Sequence, residues 1–174
     1  MSIHIEKHCQ TPLPWNIERR IQRLLRAVPQ EHLIGLETIR LVDRVTDKQH
    51  PDAAGLYRRE LDRPSGIIEI AVGRGGERIP RLLFFLPLIG QFILARILYH
   101  EVGHHYQYRL THGVKREKAE PLVEQYKRRM LRRAFSGWRL VLAPLAPLSP
   151  LIRRLGHALE KRQKGKTRNS HRAG

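Results

Sequence analysis

The sequence predicts an α+β domain over residues 1–136, followed by a basic extension over residues 137–174. The segment IIEIAV at 67–72 is β-branched and alternates around Glu69, which is typical of a strand. Apolar residues recur at helical spacing in other parts of the chain, so both helices and strands are expected. The length of 174 residues fits one domain with a tail, and 41% hydrophobic residues are enough to form its core.

The first half of the domain is predicted to contain one helix and three strands. His4, His8 and Cys9 lack the spacing of a known metal site, and we expect a mobile terminus there. A helix is predicted over 15–28, because its apolar residues recur at helical spacing and Pro29 follows. Strands are predicted at 33–43, 54–60 and 67–72.

The second half is predicted to contain two helices. Residues 82–95, LLFFLPLIGQFILA, are almost wholly apolar but fall short of the roughly 20 residues that span a bilayer. We expect a loop and the buried start of a core helix there, with a membrane-dipping segment as the alternative. The first helix is expected from about 91 through HEVGHHYQYRL and the second from about 117 to 135. Pro121 fits the second helix if it falls in the first turn.

His100, Glu101 and His104 form an HExxH motif, HEVGH, where the apolar helical run ends. Positions i and i+4 of a helix share a face, so both imidazoles can reach one Zn²⁺ ion. The carboxylate of Glu101 can reach a metal-bound water rather than the metal and act as a general base. The motif therefore predicts a zinc site with hydrolytic chemistry; the alternative is an exposed helix whose histidines bind no metal.

A catalytic zinc site has three protein ligands and an open position, so a third ligand is required. Glu117, Glu120 and Glu124 are the only acidic residues between the motif and position 160. Their spacing puts them on one face of the second helix, and we expect a ligand among them. The alternative is a solvated acidic face. His112, in the linker between the two helices, is a further candidate.

The segments HEVGHH and EPLVEQYKRRML resemble the gluzincin branch of the zincin metallopeptidases. Within that branch, the resemblance is closest to the small bacterial group of the ImmA/IrrE type, whose downstream helix has a pattern near E-x-x-A-[ND]-x-[FY]-A. Tyr126 matches the aromatic position, which puts Glu120 on the ligand position. Val123 and Lys127 stand where the pattern has alanine, and Glu124 stands at the Asn/Asp position. The resemblance covers roughly residues 15–135.

The resemblance implies a minimal zincin-like fold, in which a small sheet with an antiparallel edge packs on the active-site helix and a second helix carries the third ligand. It implies one Zn²⁺ ion on His100, His104 and Glu120, with Glu101 as the general base in peptide-bond hydrolysis. Glu124 is the fallback ligand, or it accepts a hydrogen bond from a zinc histidine. The strand IIEIAV is expected to be the sheet edge that pairs with an extended peptide substrate. The oxyanion-stabilising residue is left open among His105, Tyr106, Tyr126 and His157.

The positive charge is concentrated in the last third of the chain. The formal net charge is +17, and residues 127–174 hold 14 Lys and Arg against one acid, while residues 1–126 hold 19 basic and 15 acidic residues. Such a segment predicts contact with nucleic acid or an anionic membrane. The alternative function is therefore a non-catalytic basic binding module with a vestigial or structural metal site.

The cellular location is predicted from the cysteine content and the N-terminal sequence. The single cysteine, Cys9, excludes an intramolecular disulfide, and the N-terminus lacks the apolar region of a secretory signal. We expect a cytoplasmic protein, with peripheral association with a membrane as a further option.

Overall fold

The fold is mixed α+β, as the sequence predicts, and the described residues form three α-helices and one four-stranded sheet. The structure is a computed structural model, and it describes residues 3–14, 16–47, 51–59, 65–72, 85–111 and 116–136. The described residues up to Ala134 belong to one unit. The predicted basic extension at 137–174 lies outside the described residues.

The sheet contains two parallel pairs and one antiparallel pair. Its strands are β1 (His4–His8), β2 (Leu36–Val42), β3 (Gly55–Arg59) and β4 (Gly66–Ala71), in the order β1-β2-β4-β3. β1 and β4 each run parallel to β2, and β3 runs antiparallel to β4. β2, β3 and β4 confirm the three predicted strands. The prediction of a mobile N-terminus is wrong, because β1 pairs with β2 along its whole length.

β4 lies inside the sheet, between β2 and β3, so the prediction that IIEIAV forms the peptide-pairing edge is wrong. All six residues of β4 are buried, including Glu69. The carboxylate of Glu69 accepts hydrogen bonds from the backbone N–H and the hydroxyl of Thr46, and it pairs with Arg58 at 2.7 Å. These partners offset the cost of burying a carboxylate in the sheet.

The helices are α1 (Ile17–Leu25), α2 (Pro87–Thr111) and α3 (Arg116–Ala134). α1 and α3 confirm the helices predicted at 15–28 and 117–135. Pro121 lies inside α3, at its sixth residue instead of in its first turn. A proline there has no N–H to donate to the carbonyl four residues earlier, so α3 lacks one of its backbone hydrogen bonds.

The middle of α2 is enclosed by the other elements, since it contacts α1, β3, β4 and α3. Leu94, Leu98 and Val102 are completely buried. The hydroxyl of Tyr99, also completely buried, donates a hydrogen bond of 3.0 Å to the carbonyl of Leu24 in α1. This packing holds the HEVGH segment rigidly in the core.

The first turns of α2 differ from the prediction. The helix begins at Pro87 rather than near 91, and its start is exposed rather than buried. A helix of 25 residues is about 37 Å long, whereas strands of five to seven residues span about 17–23 Å. One end of α2 must therefore project beyond the sheet. Within the described residues, no helix combines the length and apolar character needed to cross a membrane.

Candidate metal centre

His100 and His104 lie one helical turn apart on α2, and their side chains converge. The two Nε2 atoms are 3.2 Å apart, and the rings meet edge to face with centroids 4.8 Å apart. The side chain of His104 is 6% exposed and that of His100 is 25% exposed. The i, i+4 spacing of the motif thus produces the shared helix face that it predicts.

Glu120 of α3 faces the two imidazoles. One carboxylate oxygen of Glu120 lies 3.2 Å from Nε2 of His104, and the other lies 3.7 Å from Nε2 of His100. These three side chains form a group that could hold a metal ion. Within the described part of the chain, no other group of His, Cys, Asp and Glu does so.

Two of the separations within this group are close to those between the ligands of a tetrahedral metal ion. Ligand atoms that lie about 2.0–2.1 Å from such an ion are about 3.4 Å from one another. The Nε2–Nε2 separation and the distance from Oε1 of Glu120 to Nε2 of His104 are both 3.2 Å, close to that value, and Oε2 of Glu120 lies 3.7 Å from Nε2 of His100. Two imidazole nitrogens and one carboxylate are a donor set that suits Zn²⁺. The side chain of Glu120 is 46% exposed, so solvent reaches the group from this side.

Glu124 is placed away from the histidines. Its carboxylate pairs with Lys127 at 2.5 Å and with Arg128 at 3.2 Å. The hydrogen bond from Lys127 is the main reason that the pKa of Glu124 lies below its usual value. The structure therefore groups Glu120, and not the fallback ligand Glu124, with the two histidines. The side chain of Glu117 and the whole of His112 lie outside the described residues.

Glu101 is buried against β3 and is not a member of the ligand group. It is 3% exposed, and its Oε2 accepts a hydrogen bond of 2.8 Å from the backbone N–H of Tyr57. The neighbouring histidines instead direct their Nε2 atoms to Glu120. The HEVGH segment therefore presents two imidazoles to Glu120, while the carboxylate of Glu101 is held separately by β3.

β3 is the edge strand that lies along α2. Ala71 donates its N–H to the carbonyl of Ala54. In an antiparallel pair the backbone hydrogen bonds alternate along the strand, so Leu56 and Arg58 form backbone hydrogen bonds with β4. The backbone groups of the intervening residues face away from β4; they are Gly55, Tyr57 and Arg59. The N–H of Tyr57 that holds Glu101 is one of these outward-facing groups.

Gly55 allows this close approach of β3 to α2. A Cβ atom at position 55 would lie 2.7 Å from Cγ2 of Ile97 and 2.9 Å from both Cγ and Oε1 of Glu101. A side chain therefore does not fit between the strand and the general-base candidate. The HExxH pattern does not identify Gly55, although a glycine within a strand often marks a close backbone approach.

Gly103, inside the motif, allows α3 to approach α2. A Cβ atom there would lie 3.0 Å from Cγ1 of Val123 and 3.3 Å from Cδ1 of Tyr126. Val123 and Tyr126 follow Glu120 by one and two helical turns and are buried. The contact at Gly103 therefore fixes the position of α3 from which Glu120 reaches the histidines.

Tyr106 and Tyr126, two candidates for oxyanion stabilisation, pack around His32. The ring of Tyr106 lies 4.0 Å from that of His32, and the hydroxyl of Tyr126 lies 3.1 Å from Nδ1 of His32. Burial raises the pKa of Tyr126, so its hydroxyl stays protonated while it forms a hydrogen bond with His32. The structure thus gives both tyrosines a packing role beside α2 and α3.

His32 is held neutral in this cluster. Burial is the main cause that lowers the pKa of His32. Three charged side chains act on the same ring: Glu31 raises its pKa, whereas Arg129 and Arg133 lower it.

His105, another candidate for oxyanion stabilisation, is buried on α2 beside the sheet. Its Nε2 donates a hydrogen bond of 3.0 Å to the carbonyl of Ile34, and its ring packs edge-on against Tyr57. Burial lowers the pKa of His105 to about 4, so the ring is neutral with its proton on Nε2. The remaining candidate, His157, lies outside the described residues.

Comparisons of the chain with protein-family models, with curated proteins and with solved structures find no match. The functional conclusion therefore rests on the geometry of the site.

Proposed function

We propose that the protein is a zinc-dependent metallopeptidase, with His100, His104 and Glu120 as metal ligands and Glu101 as the general base. The convergence of two imidazole nitrogens and one carboxylate from two helices carries this proposal, since the two Nε2 atoms are 3.2 Å apart and the two oxygens of Glu120 lie 3.2 and 3.7 Å from them. The resemblance of HEVGHH and the following helix to gluzincins of the ImmA/IrrE type supports the same assignment. Under this proposal the fold is a minimal zincin-like one.

The donor set favours a catalytic site over a vestigial or structural one. A structural zinc site closes all four positions with protein, whereas a catalytic site keeps one position open. The group contains three residues within the described part of the chain, and the side chain of Glu120 is 46% exposed. A substrate carbonyl can therefore approach from the solvent side of Glu120.

The ligand residues and Glu101 would have different roles in hydrolysis. A bound Zn²⁺ ion would polarise the scissile carbonyl and supply a water whose pKa is lowered towards about 7. Glu101 would accept a proton from the attacking water and return it to the leaving amine. Because Oε2 of Glu101 is held by the N–H of Tyr57 at 2.8 Å, we assign the transferred proton to Oε1.

The substrate would be a peptide in extended conformation. β3, rather than β4, is the strand expected to pair with it, because β3 lies at the sheet edge along α2. The carbonyl of Tyr57 and the outward-facing backbone groups of Arg59 are the ones that would form the pairing, because the N–H of Tyr57 is held by Glu101.

The metal content of the full chain, purified without chelators, tests the ligand assignment. We expect stoichiometric zinc in the wild type and its loss in Glu120→Gln. The matched control is Glu124→Gln on the same helix, which should keep the metal because Glu124 pairs with Lys127 and Arg128. A wild type without stoichiometric zinc, or equal loss in both variants, would contradict the proposal.

Cleavage of a quenched fluorescent peptide library tests the catalytic assignment. Glu101→Gln should keep zinc while cleavage falls by at least about 10²–10⁴-fold, the usual contribution of a general base. His100→Ala should lose both zinc and cleavage. If Glu101→Gln cleaves at the wild-type rate, Glu101 is not the base.

A further inference from the structure

The start of α2 carries a concentration of exposed apolar side chains, which we call the apolar face. Among the described residues, nine large hydrophobic side chains are exposed, and five of them fall within residues 85–92. These five are 41–47% exposed: Phe85, Leu86, Leu88, Ile89 and Phe92. Single exposed apolar residues are common on protein surfaces, but a contiguous group marks a site of interaction.

The apolar face continues into a basic residue on the same side of the helix. Leu88, Phe92 and Arg96 follow one another at intervals of four, and Ile89 lies between the first two on the same side. Arg96 is exposed. The sequence from 79 to 100 contains no acidic residue, and its only charges are Arg81 and Arg96. The apolar face is thus bordered by a positively charged side chain.

We propose that the apolar face binds the surface of an anionic lipid bilayer. Apolar side chains enter the boundary between headgroups and acyl chains, and an adjacent arginine can bind lipid phosphates. The net charge of +17 provides the complementarity to an anionic membrane. Four exposed arginines of α3 add to it within the described residues: Arg128, Arg129, Arg132 and Arg133.

Lipid explains this surface better than nucleic acid does. Phosphate backbones and bases bind basic and aromatic groups, and they gain nothing from aliphatic side chains such as Leu88 and Ile89. His100 follows Ile89 by 11 residues, which is about 16 Å along the helix axis, so the metal-binding group is separated from the apolar face. The inference does not depend on catalysis.

Co-sedimentation of the full chain with lipid vesicles tests the proposal. We expect stronger binding to vesicles of phosphatidylglycerol mixed with phosphatidylcholine than to phosphatidylcholine alone. Leu88→Gln with Ile89→Gln should weaken binding by about tenfold or more, because two apolar side chains no longer enter the bilayer. The matched control is Leu110→Gln with Leu122→Gln, at positions 59% and 49% exposed outside the apolar face, and it should bind as the wild type does.

Circular dichroism checks that the variants fold, and Leu88→Ala with Ile89→Ala replaces the glutamine pair if that variant is unfolded. Three results would overturn the proposal: no binding of the wild type to anionic vesicles, undiminished binding of the face variant, or equal weakening by the control. A wild-type oligomer that becomes a monomer in the face variant, without any vesicle binding, would assign the apolar face to a second copy of the chain and also overturn it.

Discussion

Gly55→Ala should disable the general base while leaving the metal ligands in place. The added methyl group would lie 2.7 Å from Cγ2 of Ile97 and 2.9 Å from Cγ and Oε1 of Glu101. Carbon atoms pack at about 3.5–4.0 Å, so the strand or the glutamate must move by roughly 1 Å. Because Glu101 is 3% exposed, it has little room to turn towards solvent. The methyl group would therefore change the distance between β3 and the carboxylate of Glu101.

The size of the effect follows from that displacement. A misplacement of about 1 Å in a catalytic group costs about 10²-fold in rate. Overpacking of a buried site costs about 1–3 kcal/mol in the free energy of unfolding. Zinc binding should change little, because the contacts of the new methyl group are with Ile97 and Glu101 and not with His100, His104 or Glu120.

Three measurements on Gly55→Ala separate these effects: zinc content, cleavage of the peptide library and the free energy of unfolding in urea. We expect retained zinc and a kcat/KM that is lower by about 10²-fold. The control is Gly35→Ala, which is strained at its φ of 82° and loses about 1–2 kcal/mol of stability without touching Glu101. Wild-type cleavage by Gly55→Ala, or loss of its zinc, would refute the reasoning.

Three further predictions follow from contacts near the site. Gly103→Ala should force α3 away from α2 and move Glu120, so its zinc affinity in competition with a chromophoric chelator should fall by about 10–100-fold. Burial lowers the pKa of His32 in the folded state. As the pH drops below about 6.5, the unfolded state therefore binds a proton more readily than the folded state, and the free energy of unfolding should fall. Urea unfolding at several pH values should show a smaller fall for His32→Gln. Arg58→Ala removes the charged partner of the fully buried carboxylate of Glu69, which among the described residues then keeps its Thr46 hydrogen bonds, and thermal unfolding should show a loss of about 1–3 kcal/mol.

Local patterns predicted most of the secondary structure and the two histidines of α2 that converge with Glu120. The strand segments and α1 follow from apolar spacing, and His100 and His104 converge because a helix places i and i+4 on one face. Strand order is a different kind of information. The family resemblance implied that β4 lies at the sheet edge, whereas its apolar, β-branched composition is typical of a strand buried between two neighbours. β1 has no apolar pattern, and its parallel pairing with β2 joins residues more than 30 positions apart.

The apolar run at 82–95 shows the limit of composition as a guide to burial. Leu94 and Ala95 at its end are completely buried, whereas Leu88 and Ile89 are 47% and 45% exposed. The difference depends on where the helix lies against a sheet that is shorter than the helix. The sequence of α2 alone does not reveal that the helix is longer than the strands, because the strands lie in other parts of the chain.

The choice among the glutamates of α3 is made by packing between helices. Spacing alone puts Glu120 and Glu124 on neighbouring parts of one face, and both could approach a metal on α2. Gly103 resolves this choice, because it has no side chain and Val123 of α3 packs directly against its Cα. Val123 faces α2, and Glu120, about one turn before it, therefore also faces α2 and contacts the histidines. Glu124 follows Val123 by one residue, which rotates it by about 100° around the axis of α3. Its carboxylate pairs with Lys127 and Arg128 instead. The small residue inside HEVGH thus selects the third ligand on the other helix.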